Sequence, residues 1–389
     1  MREIKKLYLF TFFRSLTFFS AVSVAFYCDN GLSYFQIMVL QTIYGIATAI
    51  MELPSGILSD VVGRKITLII GTICFFLAYL CGATGSSMLL FCLMQILAAV
   101  GQSCYSGTFV SLMYEDVKDG DDIRKSVNVI FANMQSINIF SVLLASLMSS
   151  VIVRYEGMRC TYYCTAFAYL VTLIISIFLS ENRQLCSTEK GRISNYRNEM
   201  KKSLGVIREN GLVVVMIDMV IIASFANTFS YMQQPILIAN GLNVEYFGIV
   251  MFVMTVVTIL SLKIMPKIEK YVTERRIVFF TLAGIAMVVS NFFVKMYIWS
   301  VFTFIFITII VRFREILLTN KINSFINNDA RATAMSIISA LQMVTLAVMS
   351  LLIGLVEDIS LSYAILLLGV GVLFLYAIVL FLRKRHCQM

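Results

Sequence analysis

Histidine occurs once in the 389 residues, as His386 in a basic tail, so histidine-built metal sites are excluded and a Ser-His-Asp arrangement is improbable. Charged residues make up 14% of the chain, against about 25% in soluble globular proteins. No Gly-x-x-x-x-Gly-Lys-Ser/Thr run is present to cradle a phosphate, which removes ATP as an expected energy source. No Asn-x-Ser/Thr acceptor occurs, in keeping with a bacterial inner membrane. The nine cysteines lack paired spacing and read as small apolar residues rather than a disulfide framework. No basic run is interleaved with exposed aromatics, so the net charge of +9 is no nucleic-acid footprint. These absences leave no enzyme, no cofactor, no metal and no nucleic-acid partner to expect.

What the chain has is apolar surface. Hydrophobic residues account for 59% and the mean hydropathy is +0.87, so the expected solvent is lipid. A hydrocarbon core about 30 Å thick takes about 20 helical residues per crossing, and backbone amides facing lipid must be paired within helices. Apolar runs fall at 7–28, 35–59, 66–84, 88–113, 126–152, 160–180, 211–235, 244–265, 276–294, 297–320, 332–355 and 361–382. The fold class expected is therefore an all-α membrane protein of twelve transmembrane helices. The first run is too long in its apolar part for a cleaved signal peptide and is expected to stay as helix one.

Lysine and arginine set the orientation, because short translocated loops tolerate them poorly. With both termini cytoplasmic, 24 of the 31 basic residues fall inside, only Arg154, Arg159 and Lys295 outside, and Arg14, Lys263, Arg312 and Arg314 within spans. The hydrophilic stretch 181–210, with seven basic and four acidic residues, divides the helices six and six. Expected domains are thus a bundle at 1–180, a cytoplasmic linker at 181–210 and a second bundle at 211–389, the layout of a parallel-repeat transporter in a cell membrane.

Between the second and third runs lies the stretch 56–65, Gly-Ile-Leu-Ser-Asp-Val-Val-Gly-Arg-Lys, expected as a short polar hinge. Gly56 is read as allowing close helix packing and Gly63 as able to take a positive φ. Asp60 with Arg64 and Lys65 puts both signs of charge where helices leave the lipid, a clasp that can open and close. The pattern Gly-x-Leu-x-Asp-x-x-Gly-Arg-Lys resembles the signature loop of the major facilitator superfamily. Further along, Asn320-Lys321 and Arg331-Ala332-Thr333-Ala334-Met335-Ser336, with Tyr27, Gly31-Leu32-Ser33, Gln36 and Glu52-Leu53-Pro54-Ser55-Gly56, resemble its bacterial drug-efflux members. The resemblance implies a transporter that binds a small-molecule substrate and moves it in exchange for protons or another coupling ion. Two customary features are missing: Gln95 and Ala99 stand where relatives often carry an Arg and a Gly, and residues 126–152 contain neither Gly nor Pro of the antiporter motif.

Ionisable residues inside lipid mark function because each is costly unless paired or wetted. At 1.5 Å rise per residue, Arg14 and Asp218 lie roughly 10 Å inside the cytoplasmic boundary, with Arg312 and Glu315 at comparable depth. The resemblance implies that their helices line one central cavity. Asp218 is the candidate proton carrier or cation sensor, since a buried carboxylate whose partner changes can take up and release a proton. Arg14 reads equally as a gate anchor or an anion contact. Arg312 with Glu315 can satisfy one another at i, i+3, and Lys263 and Arg314 are expected to snorkel to the interface. Gln135, Asn138, Asn227, Gln233, Ser339 and Gln342 are candidate substrate-lining groups, with helix-to-helix hydrogen bonding the equal alternative.

The sequence thus predicts a monomeric, twelve-helix, alternating-access secondary transporter exporting small lipophilic or amphipathic compounds. A solute importer or a non-transporting membrane sensor on the same fold are the other readings. Asp60→Asn and Gly63→Leu are each predicted to abolish transport while protein still reaches the membrane; full activity of both in vesicles would remove the gating role of this stretch.

Overall fold

The computed structural model describes residues 2–115, 123–179, 213–268, 273–325 and 328–386, and every regular element among them is helical. In chain order the α-helices are α1 (Arg2–Arg14), α2 (Ser23–Asp29), α3 (Tyr34–Val62), α4 (Arg64–Thr84), α5 (Met88–Glu115), α6 (Ile123–Glu156), α7 (Met158–Ile177), α8 (Val213–Tyr231), α9 (Gln233–Ala239), α10 (Phe247–Ile268), α11 (Glu274–Ser290), α12 (Tyr297–Phe325), α13 (Asn328–Ile359) and α14 (Leu361–His386). Among the described residues nine helices are long and apolar enough to cross a membrane, or ten if the bent first pair is one span. The two remaining expected spans differ in kind: α11 has only 17 residues, and α12 carries Arg312, Arg314 and Glu315 within its apolar run. The chain forms two compact units, Met1–Ser187 with Asn243–Val253, and Thr188–Leu242 with Met254–Met389. The expected linker at 181–210 lies outside the described residues.

In the first unit the expected single span at 7–28 is broken. The helix ends at Arg14, a tight turn closes through Leu16 N–H to Phe13 O and Thr17 N–H to Ser15 O, and a 3₁₀ turn at Phe18–Ala21 leads into α2 at a bend of 48°. The expected ten-residue hinge is also absent. Helix α3, started by a capping box in which the Ser33 hydroxyl and the Gln36 carboxamide each accept the other's backbone N–H, continues through Val62. Only Gly63, at φ +109°, interrupts it before α4 begins at Arg64. A left-handed φ is open to glycine and strained for any L side chain, so this one residue makes the turn. Gly56, by contrast, is exposed with nothing within 4 Å of where a Cβ would stand, so its expected packing role falls away.

The close helix contact of this unit lies elsewhere, between α4 and α5. A Cβ at Gly101 would stand 2.7 Å from the Phe75 ring and 2.9 Å from the Gly71 carbonyl, and one at Gly71 would stand 2.8 Å from Cys104 Cβ. Small residues let these backbones meet, which lipid-embedded helices need because packing rather than water exclusion holds them. Around the contact stands an aromatic column, with Phe75 4.8 Å from Tyr169, Tyr79 5.1 Å from Tyr169 and Phe26 4.5 Å from Tyr162 between ring centroids. The cysteines nearby contribute less burial than expected: of the seven described, only Cys104 is fully buried.

In the second unit α8 is the most enclosed candidate span, packed against α12, α13 and α14. Its core includes Phe225, Phe229 and Phe304, with the Phe229 and Phe304 rings 4.4 Å apart. The expected run at 211–235 ends at Tyr231 and restarts as α9. The ends of α2 and α9 are the same structure made twice. Leu32 N–H donates to Tyr27 O and Gly31 N–H to Cys28 O; Leu242 N–H donates to Leu237 O and Gly241 N–H to Ile238 O. Each is a Schellman cap on an Asn-Gly-Leu sequence, with the glycines at φ +83° and +86°. The same local cap thus recurs once in each unit.

Gly101→Ala is predicted to cost about 1–3 kcal/mol through overpacking, lowering the unfolding midpoint in detergent, while Gly56→Ala leaves it unchanged. A Gly101→Ala protein melting with the native one would refute the close-contact account.

Candidate coupling and substrate sites

The second unit buries an ion pair. Arg314 on α12 donates from Nη2 to Asp218 Oδ1 on α8, and from Nη1 to Thr281 Oγ1 on α11 at 2.9 Å and to Tyr376 Oη on α14 at 3.1 Å. Its guanidinium carbon stands 5.1 Å from the Tyr376 ring centroid. The residues are 3% and 2% exposed, Asp218 and Arg314 respectively, so both charges are removed from lipid and water together. Four helices meet at this one cation. Removing a single partner of such a pair costs far more than removing both, because the survivor is left charged and buried.

This corrects one expectation: Arg314 does not snorkel to the interface but is the partner of Asp218. The reason is helical geometry: at about 100° per residue, positions 312 and 314 lie about 200° apart around the axis. One therefore faces the bundle and the other faces out. Arg312 pairs instead with Glu315 at 3.0 Å, both about half exposed, as their i, i+3 spacing allows. A small cleft beside the buried pair is lined by Met219, Ala223, Arg314, Glu315 and Gln342 among others.

The first unit holds a different arrangement. Arg14, the last residue of α1, donates from Nη2 to Gln102 Oε1 on α5 at 3.0 Å, and its guanidinium carbon lies 3.3 Å from the Tyr105 ring centroid and 5.7 Å from that of Phe75. At the far end of α2, Arg159 donates to Asn30 Oδ1 at 2.9 Å and to Ala83 O at 3.0 Å, tying three chain segments together.

The signature stretch sits at one helix junction. Asp60 is on the last turns of α3, its side chain outside the described residues, and half-buried Arg64 and Lys65 open α4. Anions are unfavourable at a helix C-terminus and cations at an N-terminus, by about 0.3–1 kcal/mol each. Local helix stability therefore does not explain these three charges.

The uncharged candidates scatter. Gln233 donates to Met254 Sδ at 3.0 Å, and the Gln342 carbonyl accepts from Ser224 Oγ at 3.2 Å. Gln135, Asn227 and Ser339 are exposed and Asn138 is half-buried. Lys263 is exposed. Reasoning from sequence passed over Gln102, Tyr105, Thr281 and Tyr376, which carry no charge and are hidden in a chain rich in such residues. It also passed over Glu357, two residues past the expected end of its span, which is 2% exposed with neither carboxylate oxygen hydrogen-bonded among the described residues.

Comparison with known proteins agrees with the architecture. An uncharacterized transporter of Buchnera aphidicola subsp. Acyrthosiphon pisum is 26% identical over 172 residues, 41% of this chain and 42% of that protein. A second, from Buchnera aphidicola subsp. Schizaphis graminum, is 26% identical over 171 residues, 44% of this chain and 41% of the other. The matched stretch thus spans about two fifths of either relative. Among solved structures, the nucleoside transporter NupG superposes with a TM-score of 0.80 at 12% identity, covering 99% of this chain and 100% of its own. A D-xylose-proton symporter gives 0.70 at 15% identity, covering 95% of each. At such identities the likeness is one of fold. Residues 7–342 match the family model of the Major Facilitator Superfamily, and the chain belongs to that superfamily of membrane transporters.

Proposed function

We propose that this transporter is a proton-coupled, alternating-access exporter of small lipophilic or amphipathic compounds, with twelve crossings in two six-helix bundles, at 1–180 and 211–389, joined by a cytoplasmic linker at 181–210. In this reading α1 with α2, α8 with α9, α11 and α12 each complete one crossing, both termini are cytoplasmic and the protein acts as a monomer in the cell membrane. The bias of 24 of the 31 basic residues to one side supports the orientation.

The observation that carries coupling is the buried contact of Asp218 with Arg314, Thr281 and Tyr376 at the meeting of four helices. A pair so enclosed is stable only while intact, and a proton on Asp218 replaces the lost partner when the helices shift. Asp60, Arg64 and Lys65 act as the clasp at the α3–α4 junction, opening and closing with the cavity. Glu315, which lines the second-unit cleft, and its partner Arg312 act as further coupling groups, and Gln135, Asn138, Asn227, Gln233, Ser339 and Gln342 supply polar contacts to cargo. Export is supported by the resemblance at 320–321 and 331–336. Import is the second reading, favoured by Gln95 and by the absence of Gly and Pro at 126–152.

In proteoliposomes screened with dyes, drugs and metabolites, an imposed pH gradient is expected to drive accumulation by the native protein. Asp218→Asn together with Arg314→Gln removes both charges, and this double variant is expected to fold and exchange substrate without responding to the gradient. Accumulation indifferent to pH in the native protein, or gradient-driven in the double variant, would refute coupling through this pair.

A further inference from the structure

Three arginines lie within the expected spans; Arg312 pairs with Glu315 on a half-exposed face, and the other two are neutralised differently. Arg314 has Asp218. Arg14, midway along the bent first span, has no carboxylate partner among the described residues: its contacts are the Gln102 carboxamide and the faces of Tyr105 and Phe75. A carboxamide oxygen and ring quadrupoles offer partial charge only, which lessens but does not cancel a full positive charge held in lipid.

The backbone beside it is unwound. Between Arg14 and Phe18 the α-helix is interrupted, and at this break two adjacent residues present buried, unpartnered polar atoms: Nε of Arg14 and Oγ of Ser15. One turn earlier Thr11 gives its hydroxyl to Leu7 O at 2.9 Å, the usual outlet for such a group, and Ser15 does not follow it. Tyr105 lies against the flat of the guanidinium at 3.3 Å and Gln102 holds one Nη, so the Nε edge is fixed in orientation while its hydrogen-bonding capacity is unspent. Interrupted helices with free polar groups are where membrane transporters receive polar parts of their cargo.

We propose that Arg14 and Ser15, oriented by Gln102 and Tyr105, form a subsite for an anionic group, carboxylate or phosphate, of the transported solute. This rests on the transport reading and narrows it: the cargo is an organic anion whose apolar body lies among the aromatic side chains of the first unit, not a lipophilic cation.

The test is binding, without any gradient, so it fails or succeeds separately from coupled transport. The full-length protein in phosphatidylcholine nanodiscs is treated with phenylglyoxal, and modification of Arg14 is followed by mass spectrometry of its peptide. Benzoate, benzamide and inorganic phosphate are compared at equal ionic strength. An anion at ten times its dissociation constant leaves about a tenth of the site free, so benzoate or phosphate is expected to slow modification about tenfold while benzamide does nothing. In Gln102→Glu the protein's own carboxylate takes the place of the anion, and added benzoate or phosphate is expected to give no further protection. Equal modification rates with benzoate, phosphate, benzamide and buffer overturn the proposal. So does protection seen only in discs containing phosphatidylglycerol, which assigns the site to a lipid headgroup.

Discussion

Charge in a low-dielectric bundle has to be answered by charge or by a dense set of donors and acceptors, and that requirement organises the second unit. Arg314 joins α8, α11, α12 and α14 through Asp218, Thr281 and Tyr376. Continuum reasoning says that an apolar replacement of equal volume is often no less stable than such a pair. The pair is therefore no argument for adhesion between these helices. Adhesion is supplied by the stacked phenylalanines around α8 and by close backbone approach, as between Gly71 and Gly101 in the first unit.

The two units solve the same construction problem with a shared device. In each, the first described helix breaks and the chain after it ends in a glycine-closed Schellman cap, at Asn30-Gly31-Leu32 and at Asn240-Gly241-Leu242. The caps are then anchored differently: Asn30 accepts from Arg159, while Asn240 donates to Ser300, which in turn donates to Asn291.

Much of the frame was legible in the chain because hydrophobic length maps directly onto membrane thickness. The signature at 56–65 pointed to the superfamily, and its Gly63 takes the positive φ read from its place in the motif. The extent of the turn was misread: the stretch 56–65 was expected as a polar hinge, yet helix α3 runs on through Val62 and only Gly63 interrupts it. Broken helices were not legible either. The residues from Arg14 to Ala21 contain no proline or glycine, so no local breaker announces the interruption.

The site divides along the same line. Which groups are ionisable within spans is a property of the one-dimensional pattern, and the sequence by itself determined that Arg14, Asp218, Arg312, Arg314 and Glu315 needed explanation, along with the helical fold and its family. Which of them meet is a property of rotation about helix axes and of the packing of residues up to about a hundred positions apart. A two-residue difference reverses the facing of Arg312 and Arg314, and only the tertiary structure decided that the second is the partner of Asp218. It also decided that Arg14, one break away from regular helix, is left with rings and an amide in place of a counter-charge.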